Sequence, residues 1–233
     1  MPDPRIARLI EQALGGAASV LNVGAGTGAY EPASLSVVAV EPSAALLAAR
    51  PAGASPAVRA CAESLPFGDG SFDAAMALLT MHHWSDVRGG LREMGRVASR
   101  RVVLFTWDPG FDDVLWLTRC YVPRIRERDR VGFPSLALLG NALGQLRVSV
   151  VPIPHDCSDG FLGAFWRRPE AYLDEHVRAG ISGFARLDQQ ETTEAMERLR
   201  RDLDTGDWER QNGHLRQLDE IDLGYRLVIA EAT

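Results

Sequence analysis

The sequence contains no lysine, and all 25 of its basic residues are arginine. This absence excludes every chemistry that needs a lysine amine, namely Schiff-base formation, a lysine general base and a P-loop of the Walker type. Cysteine is also scarce, with three residues scattered at positions 61, 120 and 157. An odd number of widely spaced cysteines predicts neither a disulfide framework nor a zinc site.

Long apolar runs and an excess of positive charge are missing as well. No apolar stretch reaches the roughly 20 residues that a membrane-spanning helix needs, and no basic-then-apolar signal segment opens the sequence. The formal net charge is −6 at pH 7, whereas a nucleic-acid-binding face is normally basic. We therefore expect a cytoplasmic protein that has neither a membrane nor a nucleic acid as its partner.

A glycine-rich turn near the start is the most informative feature that is present. A short apolar run ends in three glycines at alternate positions, Gly24, Gly26 and Gly28. Such a turn lets a ligand approach the backbone where a side chain would clash. A second apolar run, Leu35 to Val40, is followed by Glu41, and an acid at this place can accept hydrogen bonds from two ribose hydroxyls. The pattern predicts a nucleoside pocket.

The turn alone is compatible with two cofactors, because residues 24–29 are also a loose match to the dinucleotide fingerprint. Residues further along distinguish them. The string Ala62-Glu63-Ser64-Leu65-Pro66-Phe67 precedes Ser71-Phe72-Asp73, an apolar run from Ala74 to Met81, and His82-His83-Trp84. This order and spacing resembles the class I S-adenosylmethionine (SAM) dependent methyltransferases, in particular the branch that acts on small molecules. The resemblance is specific over about residues 18–107, and a nicotinamide enzyme has no reason to carry the second block.

The order of apolar and helical segments predicts an α/β fold. Strands are expected at 19–23, 35–40, 57–62, 73–79, 101–106, 147–153 and 225–230. Because they alternate with helical patterns, we expect a parallel sheet that is covered on both faces. The resemblance implies a Rossmann-like, doubly wound sheet of seven mostly parallel strands, in which the last strand runs antiparallel beside strand six.

Two segments are longer than the bare fold needs. At 233 residues the chain is expected to be a single methyltransferase domain, 1–233. We interpret 108–134 and 157–222 as helical cap or lid insertions, because long insertions over a rigid sheet tend to be lids or binding loops.

The cofactor site is expected beyond the carboxyl ends of the strands, where ligands bind in open parallel sheets. The residues assigned to cofactor binding are Gly24, Gly26, Gly28, Tyr30, Glu41, Ala62, Glu63 and Leu78. Two positions depart from the family, which commonly has aspartate at both. Cys61 stands where that aspartate reads the adenine amine, although the N–H of Ala62 can still read the ring. Asn22 opens the turn and carries no charge, so cofactor affinity is expected to be lower.

Two histidines are candidate catalytic bases, because imidazole titrates near neutral pH. His83 follows the fourth strand, where the acceptor must enter, and His155 follows the sixth. A structural role is the alternative for each pair, His82-His83 and His155-Asp156. No metal is expected, because consecutive histidines rarely share one ion and no third ligand lies nearby.

The resemblance implies transfer of a methyl group from SAM to an oxygen, nitrogen or carbon atom of a small-molecule acceptor, with S-adenosylhomocysteine as the second product. Such a transfer is mainly a problem of positioning, so that an obvious catalytic residue is not required. A nicotinamide-dependent oxidoreductase and a SAM-binding regulator without turnover are the alternatives. No residue pattern points to a particular acceptor or to an oligomeric state.

Overall fold

The computed structural model describes residues 1–112 and 114–231. The strands, numbered along the chain, are β1 Ser19–Val23, β2 Ser36–Val40, β3 Ala57–Val58, β4 Phe72–Leu78, β5 Ala98–Trp107, β6 Leu146–Val150, β7 Ile153–Pro154, β8 Glu220–Ile221 and β9 Tyr225–Glu231. The α-helices are α1 Pro4–Leu14, α2 Ala44–Ala48, α3 Val87–Val97, α4 Trp116–Cys120, α5 Pro123–Gly132, α6 Leu136–Leu143, α7 Glu175–Ala179, α8 Gln189–Asp204 and α9 Asp207–Asn212.

The main sheet has seven strands in the order β3-β2-β1-β4-β5-β9-β6. The first five pair in parallel, and β9 pairs antiparallel with both β5 and β6. The predicted doubly wound, mostly parallel sheet of seven strands is confirmed. Its strand order reverses between β1 and β4, which places a topological switch point at the carboxyl end of β1.

The core of this sheet is built from strands that are apolar on both faces. Leu21 of β1, Ala75 of β4 and Leu104 of β5 are fully buried and belong to one cluster with Leu91 of α3 and Leu139 of α6. Strands that are buried on both faces read as continuous apolar runs, which explains the pattern seen in the sequence. The rigid sheet therefore fixes where the strand ends lie.

Two compact units make up the chain. The larger unit contains Pro2–Pro109, Gly132–Val151 and the segment that starts at Tyr225, and thus the whole main sheet. The smaller unit contains Met1, Gly110–Val131 and Pro152–Gly224. Most of the predicted insertions, 108–134 and 157–222, fall in the smaller unit, and their role as a cap stays a prediction.

An aromatic cluster forms the core of the smaller unit. The ring of Trp116 meets Tyr121, Tyr172 and Trp208 edge-on, with centroid distances of 5.8, 5.6 and 5.3 Å. Its Nε1 donates a hydrogen bond of 2.7 Å to the carbonyl of Trp166, so the indole nitrogen is not left unpaired in the interior. These aromatic residues of the insertions are packed as core.

Two strands end earlier than the sequence pattern indicated. The third was expected over 57–62, but β3 has two residues, both exposed at the sheet edge. The sixth was expected over 147–153, but β6 ends at Val150. Pro152 has no N–H to donate to a strand partner, and the next two residues pair instead with β8.

Candidate functional site

The glycine turn lies at the switch point, directly after β1. Its glycines have positive φ angles of +70° at Gly24, +54° at Gly26 and +94° at Gly28, a region that glycine enters without strain. The N–H groups of Gly24 and Ala25 both donate to the carbonyl of Val40, at 2.8 and 3.0 Å. These bonds fix the turn against the end of β2.

The space beside the three glycine α-carbons differs. A Cβ at position 24 would lie 2.2 Å from Oγ1 of Thr80, and one at position 28 would lie 3.1 Å from Arg50 and Glu31. A Cβ at Gly26 would meet no atom of the described residues within 4 Å. The protein itself packs against the first and third glycines, whereas Gly26 borders open space. A ligand that approaches the turn backbone fits there.

Glu41 follows β2 and is 5% exposed. Its Oε2 accepts a hydrogen bond of 2.8 Å from the N–H of Gly26, and its Oε1 accepts one of 2.9 Å from the N–H of Ser43. An ionised carboxylate has about four acceptor positions, so two remain for hydroxyl groups. These acceptor positions suit the hydroxyl groups of a ribose beside Gly26, and the role of Glu41 in cofactor binding stays a prediction.

A buried ion pair beneath the turn was not predicted. Nη2 of Arg50 lies 2.7 and 2.9 Å from the carboxylate oxygens of Glu31, and the two side chains are only 6% and 7% exposed. Nδ2 of Asn22 donates to Oε1 of Glu31 at 3.1 Å. The amide at position 22 was the sequence signal that could have indicated this pair, because an amide donates to a carboxylate and another carboxylate does not.

The segment after β3 contains the residues expected near adenine. Ala62 is buried and Cys61 is exposed. Oε1 of Glu63 accepts hydrogen bonds from the N–H of Ser85, the hydroxyl of Ser85 and the N–H of Asp86, at 2.8, 2.9 and 3.0 Å. Burial raises the pKa of Glu63, but its hydrogen bonds together lower that pKa by more than burial raises it. The net pKa is therefore below the ordinary value. This carboxylate ties its loop to the start of α3, and its contact with a cofactor stays a prediction.

The end of β4 is pressed against the glycine turn. Leu78, the last residue of the strand, is half-buried. Leu79 has a φ of +49°, which is rare for a side chain of this size, and its N–H donates to the carbonyl of Phe105 at 2.7 Å. This backbone shape brings the buried side chain of Thr80 against the α-carbon of Gly24.

An aromatic wall lies past the carboxyl ends of β4 and β5. The ring of His82 stacks on Phe133 with a centroid distance of 4.2 Å, and Trp107 at the end of β5 meets Phe133 edge-on at 5.9 Å. The ring of His83 lies 3.9 Å from that of His82, and His83 is exposed. His83 therefore stands at the expected strand end, and its role as a base stays a prediction.

Two other predicted site residues have contacts of their own. Tyr30 is 9% exposed, has a φ of +63°, and accepts a hydrogen bond of 3.3 Å at its hydroxyl from the N–H of Asp3. His155 belongs to the smaller unit, where its Nδ1 lies 3.1 Å from the carbonyl of Asp219. A carbonyl only accepts, so Nδ1 is the donor in this contact. The functional roles of both residues stay predictions.

Residues 1–112 and 114–231 contain neither a metal-binding cluster nor a membrane-spanning helix. Within these ranges, no three His, Cys, Asp or Glu side chains converge as a metal site. No helix in the same part of the chain is long and apolar enough to cross a bilayer.

Known proteins resemble parts of this chain, and one solved structure resembles nearly all of it. Residues 21–106 match the methyltransferase domain family. A solved structure from Anabaena variabilis ATCC 29413, described as a methyltransferase of an antibiotic biosynthesis pathway, is 35% identical over 98% of this chain and 97% of its own, with a TM-score of 0.91. A curated Escherichia coli K12 relative, the uncharacterized protein YafE, is 42% identical over 52 residues, which is 21% of this chain and 25% of YafE.

More distant structures share the fold alone. Geranyl diphosphate C-methyltransferase from Streptomyces coelicolor A3(2) is 15% identical, over 98% of this chain and 77% of its own, with a TM-score of 0.53. The [4+2]-cyclase SpnF is 15% identical, over 97% of this chain and 80% of its own, with a TM-score of 0.56. The same sheet thus supports different reactions, and the reaction has to be argued from the site.

Proposed function

Because the chain belongs to the class I SAM-dependent methyltransferases, we propose that it transfers the methyl group of SAM to an oxygen, nitrogen or carbon atom of a small molecule. The observation that carries the proposal is the pair formed by Gly26 and Glu41. An open backbone position and a buried carboxylate, joined by a hydrogen bond of 2.8 Å, lie together at the switch point of the sheet.

The larger unit offers groups for each part of the cofactor. Glu41 accepts the ribose hydroxyls, the turn backbone at Gly26 faces the centre of the nucleoside, and the N–H of Ala62 reads the adenine ring. Leu78, Tyr30 and Glu63 complete the set that the family resemblance suggests. SAM supplies an electrophilic methyl group on a positively charged sulfur, and the protein has to hold an acceptor in line with it.

The aromatic wall is the surface that we propose for acceptor binding. His82, Phe133 and Trp107 present flat ring surfaces past β4 and β5, which favours an acceptor with a planar or apolar part. His83 next to this wall is the proposed base. An electron pair of the acceptor, from an oxygen, nitrogen or nucleophilic carbon atom, would bond to the methyl carbon, and the sulfur would leave with the electrons of the broken carbon–sulfur bond. The proton of the acceptor then passes to His83.

Thermal unfolding in the presence of S-adenosylhomocysteine or NAD tests which cofactor the protein binds. S-adenosylhomocysteine should raise the Tm by mass action, because it binds only the folded protein, and NAD at the same concentration should not. A shift with NAD and none with S-adenosylhomocysteine would overturn the proposal. Binding of S-adenosylhomocysteine without methyl transfer to any compound of a metabolite screen would favour the SAM-binding regulator.

A further inference from the structure

A polar network that the proposed reaction does not use underlies the glycine turn. Nη1 of Arg50 donates to the carbonyl of Gly26 at 3.3 Å, and Nη2 donates to the carboxylate of Glu31 and to the carbonyl of Ser55, at 3.2 Å for the latter. Gly26 belongs to the turn after β1, and Ser55 to the loop before β3. One guanidinium therefore connects two segments that border the nucleoside site.

The Gly26 peptide is held from both sides. Its N–H donates to Glu41 and its carbonyl accepts from Arg50, so the two polar groups of this residue are bound by side chains from different parts of the chain. Nη2 of Arg50 contacts both oxygens of Glu31 while Nη1 reaches the carbonyl of Gly26, so two nitrogens of one planar guanidinium join the carboxylate to the turn, which a single ammonium nitrogen does not do. Since Gly26 is the open position of the turn, this ion pair sets the backbone that a cofactor meets.

The glycine at position 28 makes room for the same ion pair. A Cβ there would lie 3.1 Å from Nη1 of Arg50 and 3.1 Å from Oε2 of Glu31, which is tighter than ordinary van der Waals contact. Gly26 and Gly28 thus serve the site differently: Gly26 faces outward, and Gly28 lets the pair pack beneath the turn.

Asn22 fits the network because it is an amide. Its Nδ2 donates to Glu31 at 3.1 Å, and Asn22 is itself 2% exposed. An aspartate at this position, which is common in the family, would set a second acceptor-only carboxylate against Glu31 in a buried place. The departure at Asn22 is therefore matched by the carboxylate at residue 31.

We propose that Glu31 and Arg50 are positioning residues of the cofactor site, that they act through the Gly26 peptide, and that Asn22 is the matched partner of Glu31. The proposal rests on the proposed function, because a SAM-type ligand is what senses the turn.

Exchange of the polar groups tests the matched pair. We expect Asn22→Asp to raise the Kd for S-adenosylhomocysteine at least tenfold. The Kd is measured by calorimetry at a temperature where each variant is folded. Addition of Glu31→Gln should recover part of this loss, at least about threefold, because the glutamine amide can then donate to the aspartate at position 22 while its oxygen still accepts from Arg50. A purely structural role would not be rescued in this way. A wild-type Kd in Asn22→Asp, or no recovery in the double variant, would overturn the proposal.

Arg50→Lys provides a second test. It keeps the positive charge beside Glu31 but removes the second nitrogen, which reaches the carbonyl of Gly26. We expect a five- to tenfold weaker Kd and faster amide hydrogen exchange in the 22–31 segment of the ligand-free protein. The matched control is Arg92→Lys, whose ion pair with Asp86 spans 3.9 Å with both side chains exposed, and it should change neither quantity. If Asn22→Asp does not fold, this second test decides.

Binding by the wild-type protein distinguishes failure of the positioning role from failure of the proposed function. If wild type binds S-adenosylhomocysteine and Arg50→Lys binds it equally well, the positioning role is overturned while the proposed function stands. If wild type does not bind it, the proposed function fails. Hydrogen exchange of the 22–31 segment then decides alone, and an unchanged rate in Arg50→Lys would overturn the positioning role as well.

Discussion

At the scale of single residues, the three glycines of one motif have three different neighbours. Thr80 packs against Gly24, the Glu31–Arg50 pair packs against Gly28, and Gly26 faces open space. Equal spacing in the sequence therefore does not mean equal function. A side chain added at each position is expected to have a different effect.

Alanine at the first two glycines separates stability from binding. Gly26→Ala should cost about 1–2 kcal/mol for its left-handed backbone and abolish binding of S-adenosylhomocysteine, because the new methyl group fills the ligand space. Gly24→Ala should cost about 1–3 kcal/mol more, because its Cβ overlaps Thr80. Urea unfolding and calorimetry measure the two effects. Normal binding in Gly26→Ala would show that the cofactor does not occupy this space.

His83 is the residue on which the proposed base chemistry depends. His83→Ala should lower kcat by about 10²–10⁴-fold while the Kd for S-adenosylhomocysteine changes no more than a few-fold. Its pH–rate profile should also lose the acidic limb, because only the neutral imidazole accepts a proton. His82→Ala is the control, and it should lose stability because its ring stacks on Phe133. Full activity of the His83 variant would leave positioning as the whole mechanism.

Sequence patterns predicted some residues of the candidate site and gave no signal for others. Gly26 and Glu41 each follow an apolar run, and the structure brings them within hydrogen-bond distance. Glu31 and Arg50 belong to no periodic pattern. Glu31 lies in a loop, and Arg50 lies shortly after the end of the short helix α2. A buried ion pair of this kind is set by tertiary packing, which local patterns do not encode.

At the scale of elements, α3 holds the loop that contains the string from Ala62 to Phe67. Oε2 of Glu93 accepts from the N–H of Leu65 at 2.9 Å, and Arg96 donates to the carbonyls of Phe67 and Leu65 at 2.8 and 3.2 Å. Glu63 binds the other end of the same helix. This string carries part of the family resemblance, and in the structure its backbone is hydrogen-bonded to side chains of α3.

The start of β1 is joined to β4 by a carboxylate, which gives the sheet a pH dependence. Asp73 accepts hydrogen bonds from the N–H groups of Ala18 and Ser19 and from the Ser19 hydroxyl. The backbone bonds hold the pKa of Asp73 below its ordinary value. Its contribution to stability is therefore complete above about pH 4 and is lost as the pH falls through the lowered pKa.

Asp73→Asn should accordingly destabilise the protein at pH 7 and have a diminishing effect as the pH falls below about 4 and through the lowered pKa, because Asp73 then loses its charge. Urea unfolding between pH 7 and pH 3 measures this difference. Glu11→Gln, an exposed substitution on α1, serves as the control and should have little effect throughout. A difference that stays constant with pH would show that the charge of Asp73 is not what stabilises the sheet.

The central elements were predictable and the edges were less so. The strands around Leu21, Ala75 and Leu104 are buried on both faces, and continuous apolar runs reveal such strands directly. The edge strand β3 has only two exposed residues, so its sequence carries no burial signal. Pro123 begins α5, a position where its missing N–H costs nothing.

At the scale of the whole molecule, the two compact units contain ionisable groups that respond to pH in opposite directions. Asp73, Glu63 and Glu93 of the larger unit have lowered pKa values, and their stabilising effect is lost in acid. In the smaller unit, burial raises the pKa of Asp129 to about 6, and Arg186 offsets only part of this effect. This carboxylate destabilises the folded state above pH 6, and its cost disappears as the pH falls towards 4.

Asp129→Asn should therefore stabilise the protein at pH 7, by on the order of 2–3 kcal/mol for a pKa raised by about two units, and leave it unchanged at pH 4. Tryptophan fluorescence during urea unfolding is a suitable probe, because Trp116, Trp166 and Trp208 lie in the same unit. Glu127→Gln, an exposed neighbour on α5, is the matched control. Equal stability of Asp129→Asn and wild type at pH 7 would contradict this burial cost.

The position of β9 has a consequence for synthesis on the ribosome. This strand lies between β5 and β6, and both of them precede the long segment 152–224 in the chain. While that segment is being translated, β5 and β6 each expose a row of unpaired backbone groups that can pair with another nascent chain. The sheet closes only after residues 225–231 have left the exit tunnel, so these backbone groups stay exposed until late in translation.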